Sequence, residues 1–496
     1  MKRIHKAVLI VVCVVVAFVI AVIIIAPRIF KVDRYRPYVV SLIREKTGRQ
    51  VAIGRLGLTV FPGVSIRVDD LAIANRSGFP AGNWLTVNRV DAQLEFGALW
   101  HHRIVIRSLD LSQPVLNLLS NTKGQWNYQM PAGAQGNADP PADDPPVPPI
   151  PAAKIKGADA PVFTLREIQS VSIKEGRMQV SSVLPGGAIA PVSAEAEGIA
   201  GKFTDIDFTA AGASQPNALP ASATGQLSVK TLRAIGLDAE NITSPVDVSP
   251  MQVRLNDVKF DFYGGQGQST VVINLIPQGE NYTAQGSVSR VNAAQLLDSF
   301  PQMRGQLTGT LNGKYAISKS SNPSRDPWAG VEGNGTLTIL RGRLPKVRLD
   351  KTLLELAHVA QIKAASGDPS AFTSIDVEWR VDRGVLTTRS VHMIGNGITV
   401  DGSGTIELNA PERLNYVGVA QLAAQTNPLT NIVADLSGAS FANGKLSLPF
   451  TVGGTVHNPA FRLKGSSRGN LASPLSHPSQ PQQVIQNILN LFQRKK

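Results

Sequence analysis

The 496-residue sequence has few of the features that mark enzymes and metal-binding proteins. Its only cysteine is Cys13, so the rest of the chain has no thiol for a metal site, and a body without thiols suits an oxidising compartment. The seven histidines form no H-x-x-x-H or H-E-x-x-H pattern, and no glycine cluster continues as G-x-G-x-x-G. An enzyme is therefore the least favoured class, and we expect no cofactor and no metal.

Two details keep the enzymatic alternative in view. The adjacent histidines His101 and His102 are interpreted as exposed residues of a turn, because metal ligands need partners at a set spacing. Asp and Glu are scattered over polar strand positions, where the sequence alone brings no pair together. A hydrolase or glycan enzyme hidden in the sheet stays a third hypothesis, which turnover by a soluble fragment would support.

The charge balance is basic, with a formal net charge of +13 and charged residues at only 17%. A basic surface suits anionic partners such as lipid headgroups, lipopolysaccharide or nucleic acid. The sequence has no long run of like charges and no zinc-finger or RNP signature, so nucleic acid is not expected. The alternative, which we favour over a dedicated basic site, is that Lys and Arg simply solvate a β-rich surface.

One long uncharged hydrophobic run is present, at residues 7–26. It is long enough to cross a bilayer as a helix. A cleaved signal peptide is the alternative, but the run ends in bulky residues instead of a small-residue cleavage site. We predict a cytoplasmic stub at 1–6 and a transmembrane anchor at 7–27. Both flanks are basic, so orientation rests on the tendency of long domains to be exported regardless of charge.

A short helix and then a sheet are predicted for residues 28–130. Asp33 can cap a helix that runs to Lys46, with an apolar stripe expected to pack on the following sheet. That stripe consists of Tyr35, Tyr38, Val39, Leu42 and Ile43. From Gln50 apolar residues alternate with polar or smaller ones, and turn residues such as 76–80 separate the runs. This pattern is typical of an antiparallel, meandering sheet with one apolar face.

Residues 131–160 interrupt the alternation with DPPADDPPVPPIPAA. We interpret them as an exposed Pro-rich linker, with a proline-rich ligand for a partner as the lesser alternative. Alternation resumes over 161–463, most clearly in IDVEWRV at 375–381. Two helices are predicted there, one with a capping-box-like start at Asn292 and Gln295 and one beginning near Asp350. Gly264-Gly265 and Gly402-Ser403-Gly404 are interpreted as turns or bulges.

The tail, 464–496, begins with a Ser-, Pro- and Gln-rich stretch and ends in QQVIQNILNLFQRKK. The last part predicts a short amphipathic helix followed by Arg and Lys residues. Docking back on the sheet and contact with a membrane or partner are equally compatible with it. Its apolar face is formed by Val484, Ile488, Leu491 and Phe492.

An alternating sheet has an apolar face that must be covered. A second sheet would give a sandwich, and a trough filled with apolar ligand would give a groove. Both arrangements satisfy the same alternation, so the pattern alone leaves them open.

Two groups of phrases resemble the AsmA family of bacterial envelope proteins. The N-terminal group includes Thr47-Gly48-Arg49, the LEFGAL step at 94–99 and the stretch from Gly124 to Trp126-Asn127. The C-terminal group includes VDRGVLTTRSVHMIGNGITVDGSGTIELN and LPFTVGGTVHNPAF. Behind a single anchor and in this order, the phrases identify the chain as similar to that family.

The resemblance implies an inner-membrane protein with its bulk in the periplasm and a long, curved, apolar β-groove like that of chorein-type bridge proteins. The predicted fold is therefore mainly β, a transmembrane helix followed by an antiparallel β-sheet groove with a few short helices. The groove would include an N-terminal AsmA-like β module at 28–130 and continue over 161–463, which contains a C-terminal AsmA-like region. Its candidate lipid-facing residues are Leu56, Leu58, Val60, Val90, Leu94, Phe96, Ile104 and Ile106.

The function that follows is binding or transfer of phospholipids in support of outer-membrane homeostasis, with no chemistry of its own. Expected partners are phospholipids and the inner membrane. The alternative is a non-enzymatic scaffold or assembly factor that engages an outer-membrane or other envelope protein through a sheet edge or the C-terminal helix.

Overall fold

The structure is a computed structural model. It describes residues 49–59, 63–99, 103–128, 164–207, 222–276, 279–320, 328–345, 368, 370–423 and 440–463, with four single positions at 36, 37, 40 and 44. The predicted anchor, the Pro-rich linker, the helix predicted near Asp350 and the tail with Val484, Ile488, Leu491 and Phe492 lie outside these residues. Among the described residues, no helix has the length and hydrophobicity needed to span a membrane.

The described chain is mainly β, as predicted, and its 22 strands belong to one open, mixed sheet. The strands are β1 (Val51–Ala52), β2 (Arg55–Thr59), β3 (Ser65–Ala74), β4 (Asn83–Leu94), β5 (Arg103–Ser120), β6 (Thr164–Ile168), β7 (Val171–Ser182), β8 (Ala194–Asp207), β9 (Ser222–Ala234), β10 (Leu237–Ser249), β11 (Gln252–Phe262), β12 (Gly265–Ile276), β13 (Gly279–Asn292), β14 (Thr308–Lys319), β15 (Val331–Arg343), β16 (Ala371–Asp382), β17 (Val385–Gly395), β18 (Ile398–Glu407), β19 (Leu414–Ala423), β20 (Ser440–Ala442), β21 (Lys445–Gly454) and β22 (Pro459–Leu463).

Helical elements are short. They are α1 (Phe96–Leu99), α2 (Ala293–Asp298) and a 3₁₀ turn at Pro301–Met303. The chain divides into two compact units. Unit 1 comprises Met1–Asp261 and Gln268–Tyr282, and unit 2 comprises Phe262–Gly267 and Thr283–Lys496.

Unit 1 is a meander with one parallel step. β3 pairs with β1 and β2 on one side and with β4 on the other, and β4 pairs with β5, all antiparallel. β5 then pairs in parallel with both β6 and β7, and β7 to β11 continue as antiparallel neighbours. The purely antiparallel sheet predicted from the sequence is therefore wrong at β5.

The parallel step follows from where the chain returns to the sheet. β5 ends at Ser120, whereas β6 begins with Thr164 beside Arg103, at the start of β5. A parallel neighbour needs a crossover connection of a dozen or more residues, and residues 121–163 supply it. The Pro-rich stretch therefore falls within a crossover. β5 continues into the next part of the sheet through ten residue pairs with β7.

Unit 2 contains an antiparallel meander from β14 to β19, which continues through β21 to β22. The alternation at 375–381 is confirmed, because Ile375 and Val377 pair with Ile339 and Leu337 whereas Asp376 pairs with Thr338. A buried cluster lies on the apolar side of these strands. Its members are Val291, Ala293, Leu311, Ile339, Phe372 and Met393.

The predicted start of α2 is confirmed in part. Asn292 is the N-cap, and its Oδ1 accepts hydrogen bonds from the backbone N–H groups of Ala294 and Gln295 at 3.0 and 3.3 Å. In a full capping box the side chain at Gln295 would accept a hydrogen bond from the backbone N–H of Asn292. Here that N–H donates instead to the carbonyl of Tyr263 at 2.9 Å.

A second cluster lies at the start of unit 1. Val51, Ile53 and Ile73 are buried together, and Val40 packs against them. Val40 and the other described residues between 36 and 44 are helical, which confirms the helix predicted before the sheet. The five residues of the predicted apolar stripe lie outside the described residues, so the contact seen is made by Val40.

Candidate apolar binding face

One face of unit 1 is apolar along rows that cross the strands. Directly opposed residues in a sheet share a face, so strand register traces each row. The row nearest the turn between β2 and β3 crosses nine strands, from β2 to β11. It consists of Leu58, Ile66, Ala92, Leu109, Val171, Phe203, Gly225, Val246 and Leu255.

A parallel row lies two residues further along the strands. It consists of Leu56, Val68, Val90, Leu111, Ile173, Gly201 and Leu227. The intervening residues point to the other face and are polar. Together the rows define the apolar face of unit 1.

Aligned breaks in the side-chain alternation keep this face continuous. Asp70, Asn88 and Gln113 lie opposite one another on β3, β4 and β5, and Glu175 follows on β7. Asp70, Gln113 and Glu175 have positive φ angles of 56°, 53° and 54°. The strands keep their register through this level, and Leu71 packs against the same buried cluster as Val68 although the two are three residues apart.

The side chains at this level hydrogen bond to one another across the strands. Asn88 Nδ2 donates to Gln113 Oε1 at 2.8 Å, and Gln113 Nε2 donates to Glu175 Oε2 at 2.9 Å. Pro114, which has no N–H to donate within a central strand, directly follows Gln113. The side-chain bonds therefore link β4, β5 and β7 where the alternation breaks.

The sequence-predicted lining residues fall on this face where the structure describes them. Leu56, Leu58 and Val90 are members of the two rows, and Leu94 lies opposite Ile106, with Ile104 two residues earlier on the same strand. Val60 and the side chain of Phe96 lie outside the described residues. The groove was predicted to continue over 161–463, but the list of candidate lining residues included none from β7 to β11, although alternation such as Val253, Leu255 was visible there.

The opposite face carries the charge. Arg67 Nε lies 2.7 Å from Asp91 Oδ1, and Arg89 Nε lies 3.3 Å from Asp69 Oδ1, both across the β3–β4 pair. The hydrogen bond to Asp91 raises the pKa of Arg67 above its ordinary value. These pairs are solvent-exposed, so they contribute solubility and register more than stability.

Each unit buries part of its apolar face. In unit 1 the row members Leu56, Val90 and Val246 are buried, as Ile339 and Leu448 are in unit 2. Other apolar residues on the face of unit 1 remain partly exposed, namely Leu58, Leu94, Leu111 and Ile173. Apart from strands, the described residues of unit 1 form only turns, α1 and the helical positions between 36 and 44. The partly exposed residues make the face of unit 1 a candidate surface for an apolar ligand.

Aromatic rings on both apolar faces lie over glycines of the neighbouring strand. A Cβ on Gly418 would come within 2.6 Å of Phe450 Cζ, and a Cβ on Gly225 would come within 2.6 Å of Phe203 Cδ1. Gly335 with Trp379 and Gly404 with Tyr416 repeat the arrangement. Because each ring occupies the space that a side chain on the glycine would take, the apolar face stays flat at these positions.

The interpretation of Gly402-Ser403-Gly404 as a turn or bulge is confirmed in part. The three residues lie inside β18 and form no turn, but the β17–β18 pair has a bulge at this level, with the extra residue on β17 between Thr388 and Val391. Gly264, by contrast, lies in a turn with φ 74° next to Tyr263 with φ 44°, as expected. The signal that separates the two cases is an aromatic residue on the next strand, which the sequence does not place.

Among the residues that the structure describes, no group of three or more His, Cys, Asp or Glu side chains could hold a metal ion. His392 Nδ1 lies 2.6 Å from Asp401 Oδ1 on the polar face of unit 2, within a strand-to-strand pair. The predicted exposed pair His101 and His102 lies outside the described residues.

Comparison with known proteins gives one match. The model of the AsmA family matches residues 1–182, a range that ends with the last residue of β7 and includes both Arg49 and Asn127. The C-terminal phrases quoted above lie outside the matched range, so that part of the resemblance stays a prediction. No curated protein and no solved structure matches the chain. The resemblance of the N-terminal part to the AsmA family is therefore confirmed over residues 1–182.

Proposed function

We propose that this protein binds the acyl chains of phospholipids on the apolar face of unit 1 and transfers them within the bacterial envelope. It would be held by the predicted anchor at the inner membrane, with its bulk in the periplasm, and would perform no chemistry. The observation that carries the proposal is the pair of apolar rows, one across β2 to β11 and the other across β2 to β9.

The dimensions of the rows fit such a ligand. Neighbouring strands lie about 4.8 Å apart, so nine strands extend over about 38 Å. One leaflet of a bilayer is about 15 Å thick in its hydrocarbon part, so the longer row offers room for about two acyl chains end to end. Burial of apolar area at about 25 cal/mol per Å² would supply the affinity, and the aromatic rings that lie over glycines leave the chains a level surface.

Neighbouring residues on β5 allow a matched test. Leu111 belongs to the apolar face, whereas Ser112 points to the polar face between its partners Arg89 and Lys174. Leu111→Asp places a charge on the path of the acyl chains. Ser112→Asp adds the same charge next to two cations, where it is tolerated. Leu58→Asp and Leu94→Asp extend the test to the ends of the predicted lining.

The measurement is native mass spectrometry of the full chain, purified gently from the envelope, together with phospholipid flux between membranes. We expect co-purifying phospholipid with the unaltered chain and with Ser112→Asp, and its loss with Leu111→Asp. A folded Leu111→Asp protein with unchanged lipid and flux contradicts the proposal. Bound protein partners without any lipid would favour the scaffold alternative instead.

A further inference from the structure

One end of the unit 1 strands gathers several turns, and we call it the N-terminal rim. It comprises residues 75–82, 121–127, 183–193 and 235–236, and the chain enters the sheet beside it, where Ala74 N donates to Gln50 O at 2.9 Å. The turns contact one another. Arg76 Nη2 donates to Gln125 Oε1 at 3.3 Å, and Ile235 N donates to Ser193 O at 3.4 Å.

Large aliphatic side chains at this rim are exposed. Leu184 is 45% exposed, Ile189 52%, Val192 49% and Ile235 78%. These four make up half of the eight exposed large hydrophobic residues in the part of the chain that the structure describes. They belong to two adjacent turns, β7–β8 and β9–β10, so they form one patch instead of scattered single residues.

Ile235 also has an unfavourable backbone conformation for its residue type. Ile235 and Gly236 have φ angles of 49° and 80°, the conformation of a two-residue hairpin turn that favours Asn-Gly. Asn443-Gly444 in unit 2 follows that preference, with φ angles of 50° and 70°. A β-branched residue with positive φ is a genuine outlier, so an exposed Ile here costs stability and solubility together. Such local cost is typical of a functional contact.

The charge of the rim has one sign. The four turns contain Arg76 and Lys123 and no Asp or Glu. Aliphatic tips beside basic residues match the surface of a bilayer with anionic lipids, where the tips enter the acyl region and the cations meet the headgroups. Protein hot spots are instead rich in Trp, Tyr and Arg, and the two turns with the exposed aliphatic residues contain none of these. Arg76 and Trp126, in the other two turns, contact neighbouring residues, Arg76 through its hydrogen bond to Gln125 and Trp126 by stacking on Tyr128.

We infer that the N-terminal rim docks on the surface of an anionic bilayer, with Leu184, Ile189 and Ile235 inserted. The position of the chain agrees with this. The predicted anchor ends at residue 27, and residues 28–35 reach at most about 28 Å before the helical residue Arg36. The helix then packs through Val40 on the cluster of Val51, Ile53 and Ile73 beside the rim. This surface is separate from the acyl-binding face proposed above.

The two ends of β10 provide a matched pair for the test. Ile235 precedes β10 at the rim, and Met251 follows it at the opposite end. In a Cys13→Ser background, the full chain carries an environment-sensitive fluorophore at Ile235→Cys or at Met251→Cys. It is reconstituted in vesicles of phosphatidylcholine with or without phosphatidylglycerol, and spin-labelled lipids serve as quenchers.

We expect a blue shift and quenching for the label at 235 in vesicles with phosphatidylglycerol, reduced quenching without it, and neither effect for the label at 251. Lys123→Glu should weaken the quenching at 235, whereas Lys259→Glu, on the polar face beside Asp257, should leave it unchanged. Equal quenching at both positions overturns the inference. So does a label at 235 that stays exposed to water when the chain is the only protein in vesicles with phosphatidylglycerol. Co-purifying phospholipid should be unaffected by Lys123→Glu, which separates this proposal from the acyl-binding one.

Discussion

Arg49 Nη2 donates a hydrogen bond to the backbone carbonyl of Asn127 at 2.7 Å, across 78 residues of sequence. Arg49 is 5% exposed and Asn127 is fully buried, and the Arg49 guanidinium lies 5.0 Å from the centre of the Trp84 ring. The contact joins two of the phrases on which the family resemblance rests. The two phrases are thus in contact in the folded protein. Arg49 lies where the chain enters the sheet before β1, and it is bonded to Asn127, where the chain leaves β5.

Asn127→Ala should destabilise unit 1 by about 2–4 kcal/mol. Asn127 Oδ1 accepts from Leu119 N at 3.0 Å, and its Nδ2 donates to Asn117 O at 2.7 Å and to Asn75 Oδ1 at 2.9 Å. Truncation leaves the backbone groups of Leu119 and Asn117 without these bonds. The measurement is thermal unfolding of the full chain in detergent.

Asn121→Ala is the control for this change, because Asn121 Oδ1 accepts only from the nearby turn residues Lys123 and Gln125 at the surface. It should cost less than Asn127→Ala. Equal losses for the two variants would show that the buried amide has no special role.

Gly418→Ala should cost about 1–3 kcal/mol, because the new Cβ would meet the Phe450 ring at 2.6 Å and force it off the sheet. Gly453→Ala on the next strand is the matched control, since the heavy atom nearest to its new Cβ, Leu414 O, would be 4.0 Å away. Combining Gly418→Ala with Phe450→Leu should recover part of the loss. If unfolding temperatures for Gly418→Ala and Gly453→Ala coincide, the ring does not lie where the structure puts it.

Tyr416 should make stability fall at alkaline pH. Burial raises the pKa of the phenol above its ordinary value of 10.0, and a hydrogen bond with Thr388 opposes the rise in pKa. Because the folded-state pKa is the higher one, the stabilisation is present below about pH 10 and is lost as pH rises through the folded pKa. Tyr416→Phe should therefore show a shallower alkaline decline in unfolding temperature. Tyrosinate absorbance at the same pH gives an independent reading, and parallel declines for both proteins would refute the assignment.

Ile235→Asn should stabilise the chain by about 1 kcal/mol, because Asn accepts the left-handed conformation that Ile strains to adopt. The same change should reduce the quenching of a fluorophore attached at Ile189→Cys by spin-labelled lipids in anionic vesicles. A gain in stability combined with a loss of membrane contact is the result that a merely structural residue would not produce. Calorimetry and lipid quenching on the same sample measure the two effects.

Alternation allowed the strands and their apolar sides to be predicted from the sequence. Ile375, Val377 and Trp379 fall on one face as predicted, because side chains on a strand point to opposite sides in turn. The N-cap at Asn292 was equally local, since its partners are two and three residues away. The breaks in alternation at Asp70, Asn88 and Gln113 are visible in the sequence, but their alignment across the strands depends on register.

By itself, then, the sequence determined the class of fold, the polarity of each strand face and the resemblance of residues 1–182 to the AsmA family. Only the tertiary structure decided that β7 runs parallel to β5, that Phe450 lies over Gly418, and that Leu184, Ile189 and Ile235 meet at one rim. The physical reason is range. Propensity and alternation act over a few residues, whereas crossover direction, ring-on-glycine packing and exposure at a rim depend on which distant strand becomes the neighbour.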